Sequence, residues 1–155
     1  MPHFRASLID RLIDETPRLQ REARPLRAQT RRGLRETLRR DLTWLLNTRT
    51  SLTAARFDET RELTAIHYGM PSLTVYTPVS DEAQRTLARR ITRVIEAFEP
   101  RLTRVRVQVM PARKTERSLR VRIEGMLRTE SAREPISFLT VFQTTGGGWE
   151  VHESQ

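Results

Sequence analysis

The sequence predicts an α+β domain with N-terminal helices packed on one face of a C-terminal antiparallel β-meander. Three observations carry this expectation. Leu34, Leu38, Leu42, Leu45 and Leu46 recur at three- and four-residue spacing, the period of an amphipathic helix. Val105, Val107 and Val109 alternate with Arg104, Arg106 and Gln108, the period of a strand with one buried face. The switch between the two periods falls within Phe98-Glu99-Pro100-Arg101-Leu102, and helices followed by consecutive strands give the α+β order.

Taken in order, Ser7 caps a short helical pattern of Leu8, Ile9, Leu12 and Ile13, too short to be stable without docking. Residues 17–29 hold Pro17, Pro25 and four arginines among few apolar side chains, the composition of an extended linker. Residues 1–29 are therefore expected to form a helix-and-linker arm, and residues 30–155 the domain body. The leucine stripe gives a helix over 30–46 with Asn47 as its C-cap, and Arg31, Arg32, Arg35, Arg39 and Arg40 on its solvated face. A second helix is expected over 58–68, capped by Asp58, with Leu63 and Ile66 inward and Gly69-Met70-Pro71 as its stop. Val75 and Tyr76 leave the stretch before Pro78 undecided. The third helix starts at Ser80, whose cap precedes Asp81 and Glu82 in the first turn. Leu87, Ile91, Val94, Ile95 and Phe98 form its buried stripe, and Pro100 ends it.

Strands follow over 101–109, 119–127, 135–143 and 149–151, joined by a basic loop at 111–117 and a glycine-rich one at 144–148. The third is apolar on both phases (Ile136, Phe138 and Phe142; Leu139 and Val141), which argues for a more buried position. Keeping the valine-rich faces together pairs Val105 with Ile123 and Val107 with Val121. The outer face then opposes Arg104 to Glu124 and Arg106 to Arg122, with Arg120 beside Gln108. Those arginines suit either an acidic partner or a solvated face, and the solvated face is the simpler account.

A chain of 155 residues fits one domain with its own core. It has no cysteine, so disulfide scaffolds, thiolate metal sites and cysteine nucleophiles are excluded. Residues 1–12 lack the apolar core of a signal peptide, and no apolar run approaches the roughly 20 residues of a membrane span. The expectation is a cytoplasmic protein without direct membrane insertion. The net charge is +9, and Lys114 is the only lysine among 28 basic residues. Arginine suits planar pairing with carboxylates and phosphates, so the balance allows nucleic acid, anionic lipid or an acidic protein as partner.

His3, His67 and His152 lack ligand spacing, and neither a phosphate-binding loop nor a nucleophile elbow is present. Glu99 is the one acid in an unusual setting, where an arginine or backbone amides are its expected partners. No catalytic residue, metal, cofactor or small-molecule substrate is expected.

Four stretches occur together in a fixed order: Ser7-Leu8-Ile9-Asp10-Arg11-Leu12, Leu45-Leu46-Asn47-Thr48-Arg49, Tyr68-Gly69-Met70-Pro71 and Phe98-Glu99-Pro100-Arg101-Leu102. Ile123-Glu124-Gly125-Met126-Leu127 and Pro135-Ile136-Ser137-Phe138 follow. With them the chain resembles TssE, the small baseplate component of bacterial type VI secretion, within the phage baseplate-wedge lysozyme-like family. Met70 stands where that family more often has leucine, a volume-conserving change. The resemblance implies a structural protein that meets other wedge subunits and the first sheath ring and helps start sheath polymerisation. It also implies that Glu99, Pro100 and Arg101 are the functional signature, acting in assembly contacts.

The residues themselves allow two roles for Glu99 and Arg101, a docking point or an internal bridge. Leu8, Arg11 and Leu12 on the arm are further candidates for contact with a neighbour. So are Trp149 and Val151 on a short last strand, because a meander leaves sheet edges that another chain can extend. Two other classes compete with this reading. A basic nucleic-acid-binding domain would want aromatic residues among its arginines or a recognition helix, and the basic stretches have neither. A muramidase would need a second carboxylate to work with Glu99.

Overall fold

The structure, a computed structural model, describes residues 30–72, 80–110, 118–129, 133–143 and 148–154, with the backbone of Phe4–Arg5 and Ala28–Gln29. The chain divides into two compact units, Met1–Leu38 and Arg39–Gln155. In the first, β1 (Phe4–Arg5) pairs antiparallel with β2 (Ala28–Gln29), a short ladder within the stretch expected to be arm and linker. The helix expected at 7–14, the undecided 73–79 and the loops at 111–117 and 144–147 lie outside the described residues.

Helix α1 (Arg31–Asn47) starts where the Thr30 hydroxyl accepts the Gly33 amide at 3.1 Å. All five leucines of its stripe are buried, as the spacing predicts. Asn47 is its last residue rather than a cap beyond it.

The second helix differs from its expectation. Helix α2 spans only Ala54–Glu59, with the Thr53 hydroxyl as its cap, and a separate 3₁₀ turn covers Ala65–His67. Phe57 is the buried anchor, while Ile66, expected inward, is 78% exposed and Leu63 is half-buried. Asp58 does not cap a helix because its carboxylate receives the Nε and Nη2 groups of Arg90 at 3.0 and 2.5 Å.

Arg90 belongs to α3 (Asp81–Phe98), which opens with the Ser80 hydroxyl accepting the Ala83 amide at 3.2 Å. It ends where the Glu99 amide donates to the Ile95 carbonyl at 2.8 Å. Arg93 adds a second tie to α2, donating to the Phe57 carbonyl at 2.6 Å with its guanidinium over the Phe57 ring.

Four antiparallel strands follow in the order β3 (Leu102–Val109), β4 (Ser118–Arg128), β5 (Arg133–Gln143) and β6 (Gly148–Glu153). With the helices before the sheet, the fold is α+β. Helix α3 packs against β3. The inner face buries Val105, Val109, Val121, Ile123, Phe138, Trp149 and Val151. Burying one such side chain fully is worth about 1.5–3 kcal/mol, so this face fixes which residues turn inward. Thr140, also fully buried there, donates its hydroxyl to the Val121 carbonyl at 2.6 Å.

The β3–β4 register is two residues away from the expected one. Val107 faces Ile123, Val109 faces Val121, Arg106 faces Glu124 and Gln108 faces Arg122. The expected clash of Arg106 with Arg122 is therefore absent. A bulge between Thr103 and Arg106 contributes one residue of the shift, with Arg104 at φ 54° supplying the extra bend, and the pairing of Leu102 with Leu127 before it is already one residue from the expected register. Gly125 lies across from it, where a Cβ would stand 2.8 Å from Leu102 Cδ1.

Candidate interaction site at the helix–strand corner

Pro100 ends α3 and turns the chain into β3, so Glu99 and Arg101 lie on either side of one tight corner. Their side chains close on each other. Glu99 Oε1 accepts the Arg101 amide at 3.1 Å and Nε at 2.7 Å, while Oε2 accepts Nη2 at 2.5 Å. The same Nη2 donates to Asp41 Oδ2 on α1 at 2.6 Å. Asp41 Oδ1 in turn accepts Nε and Nη2 of Arg40 at 3.1 and 2.9 Å. The Arg101 carbonyl accepts the Arg128 amide at 2.7 Å. One arginine thus ties together α1, the end of α3, β3 and β4.

The cluster is interior. The side chains of Glu99, Asp41 and Arg101 are 5%, 16% and 22% exposed. For Arg101, burial alone lowers the pKa, but the bonds and charges of Glu99 and Asp41 outweigh it and hold the guanidinium above its ordinary value. The neighbouring Tyr68 phenol is pushed up, first by burial and then by the negative charges of Asp41 and Glu99. Its ring meets Phe98 edge-on at 5.2 Å.

Asp41 and Glu99 share one guanidinium nitrogen, at 2.6 and 2.5 Å, so Arg101 lies between the two carboxylates that a glycosidase would need to set across a cleft. Here the guanidinium fills the space that a sugar would need.

Three of the ordered sequence stretches converge on this corner. Leu45-Leu46-Asn47-Thr48-Arg49 meets Tyr68-Gly69-Met70-Pro71 through a parallel bridge. In it Met70 N–H donates to the Thr48 carbonyl at 2.8 Å and Thr50 N–H to the Met70 carbonyl at 3.0 Å. Gly69 has φ +107°, and a Cβ there would stand 2.4 Å from the Thr48 carbonyl oxygen, so glycine is required. Tyr68 then joins this pair to Phe98 of the third stretch.

Of the residues expected to make contacts, the structure brings Glu99 and Arg101 together and leaves Pro100 exposed beside them. Leu8, Arg11 and Leu12 lie outside the described residues. The side chains of Trp149 and Val151 are buried, at 3% and 2% exposure, so it is their backbone that lies on the sheet edge. Part of that edge is already closed. Asn47 accepts the Trp149 amide at 2.7 Å through Oδ1 and donates to its carbonyl at 2.9 Å through Nδ2.

Asp41 and Asn47 were missed by sequence reasoning. For Asp41 a signal exists: it stands three residues after Leu38 and four before Leu45, inside the buried stripe. A charge in such a stripe requires a partner. Arg90, between Leu87 and Val94 on α3, carries the same signal for its pairing with Asp58. Asn47 carries none, because its partner is backbone 102 residues away.

Among the described residues no group of acids and histidines is placed to hold a metal ion, and no helix is long and apolar enough to cross a membrane. Residues 32–132, from the start of α1 through β4, match the family model described as Baseplate wedge protein gp25. No curated protein and no solved structure matches the chain.

Proposed function

This chain belongs to the baseplate wedge protein gp25 family, which includes TssE, and from that premise we propose that it is a type VI secretion baseplate subunit connecting the wedge to the sheath. Membership gives a structural role among other baseplate proteins. The proposal adds that the first sheath ring grows from this subunit, on the cytoplasmic side, and that it is not an enzyme.

The observation that carries the sheath-seeding part is the unequal end of the sheet. Strand β6 has six residues against eleven in β5, and it pairs only with Phe138–Gln143. Backbone groups alternate sides along a strand. Trp149 turns its amide outward to Asn47, and Ser154 turns its amide inward to the Ser137 carbonyl at 2.9 Å. Val151 and Glu153 therefore turn their amides to the outward side, the side on which an added strand would lie. Asn47 sets the inner limit of that pairing at Trp149.

In this proposal Glu99 and Arg101 act indirectly. Their charges meet each other and Asp41, and the resulting clasp fixes the angle between the helices and the sheet whose edge is offered.

Glu153→Pro is the direct test, because it removes an outward amide and leaves the bonds between β5 and β6 intact. The variant is expected to fold and to join the wedge without seeding sheath. Normal sheath assembly by the folded variant would remove this edge from the account. The non-enzymatic part is tested with peptidoglycan, which the purified protein is expected to leave uncleared. Turnover that vanishes in Glu99→Gln while the fold persists would reverse it.

A further inference from the structure

We infer that the outer face of the sheet is a second docking surface, fitted to an amphipathic helix of a partner with carboxylates along one flank. The inference goes beyond the family role and does not use the sheet edge. The register places Arg120 opposite Val141 and Arg122 opposite Leu139, and on the next strand Glu150 opposite Val141 and His152 opposite Leu139. These residues share the face turned away from the buried side chains. Arg120, Arg122, Glu150 and His152 are exposed, while Leu139 and Val141 are half-buried between them.

The result is a three-strand stripe: arginines on β4, an apolar centre on β5, and a mixed-charge flank on β6, where His152 Nε2 lies 3.7 Å from Glu150 Oε2. Arg106 extends the basic flank on β3, opposite Glu124. Among the described residues no carboxylate is bonded to Arg122 or Arg106.

Geometry selects the shape of the partner. The inner strands β4 and β5 are hydrogen-bonded on both sides, so an occupant of this face must recognise side chains rather than backbone. Three strands at about 4.8 Å spacing span about 10 Å, the width of one helix. Leu139 and Val141 stand about 7 Å apart along β5, close to the about 6 Å between apolar side chains one helical turn apart.

Charge selects its chemistry. Arg122 on the β4 flank suits a carboxylate, and the β6 flank carries Glu150 beside His152. A helix acidic on both flanks would meet Glu150, so the match is one-sided and fixes the helix direction.

The test is a titration of the isotope-labelled full chain, followed by amide NMR. The probe is a synthetic peptide of about 18 residues, long enough at about 27 Å to cross the face, with a leucine stripe and glutamates on one flank. A second peptide replaces each glutamate by lysine, and a short DNA duplex provides a third arm. The acidic peptide is expected to shift the amides around Arg122, Leu139 and Val141, and to bind at least about tenfold more tightly than the basic one. Leu139→Asp and Arg122→Glu, each with an unchanged fold, are expected to weaken it by about tenfold or more. Equal binding of the two peptides, shifts confined to another face, or variants that bind as the parent does would each overturn the inference. Tighter binding of the duplex at the same amides, displacing the acidic peptide, would overturn it in favour of phosphate recognition.

Discussion

Arginines occur in two opposite settings in this molecule. At the helix–strand corner Arg101 is largely buried and bonded to Glu99 and Asp41. On the outer face of β4 Arg122 is exposed, beside Gln108 and the half-buried Leu139. The difference teaches that the bonded charges of the corner and the exposed charges of the sheet reside in different places. Arg101 gives its Nε and Nη2 groups to Glu99 and Asp41, and a partner could take those bonds only by breaking internal ones. A charge held outward on a rigid sheet loses little on binding.

The comparison is broken most directly by truncating each arginine. Arg101→Ala leaves Glu99 as an uncompensated buried charge and Asp41 with Arg40 as its one remaining arginine partner among the described residues, and is expected to cost about 3–5 kcal/mol. At this chain length that is a fall of about 10 °C in melting temperature. Chemical denaturation of the isolated chain checks it.

The Asp58–Arg90 pair sharpens the comparison because it has the same chemistry with one partner at the surface. Asp58 is 36% exposed and Arg90 10%. Asp58→Asn is therefore expected to cost only about 1 kcal/mol at neutral pH. The bond from Arg90 is the main cause that holds the Asp58 pKa below its ordinary value of 3.8. Because the folded pKa is depressed, this stability is fully present above the unfolded value and is lost as pH falls through the folded one. Melting curves of parent and Asp58→Asn should thus differ at neutral pH and converge below pH 3.8. The smallest effect is expected on the outer face, where Arg122→Ala should change stability by no more than about 0.5 kcal/mol.

Much of this was legible beforehand, for identifiable reasons. The leucine stripe of α1, the cap at Ser80, the stop at Pro100 and the four strands all rest on local periodicity or local chemistry, and each appears where expected. The errors arose where a distant residue decides. Asp58 resembles a cap locally but is claimed by Arg90 from 32 residues away. One residue of the strand-register shift comes from a bulge at Arg104, a non-glycine residue at positive φ that no spacing rule announces. Two of the corner's three members were legible, since Glu99 and Arg101 flank one proline. Its third member, Asp41, comes from 60 residues away and was marked only by its charge within an apolar stripe. Alternation along β6 turns the Trp149 and Val151 side chains into the core and leaves their backbone at the sheet edge.

The central claim is that the corner is an internal clasp, and a double-mutant cycle between Asp41 and Arg101 tests it most directly. Asp41→Ala, Arg101→Ala and the double variant are each unfolded by denaturant as isolated chains. The account predicts that the two changes are strongly non-additive, with a coupling of about 1–3 kcal/mol, because each residue stabilises the fold through the other. Additive effects in the isolated chain, together with loss of wedge assembly in both single variants, would contradict it and make the corner a contact for a partner.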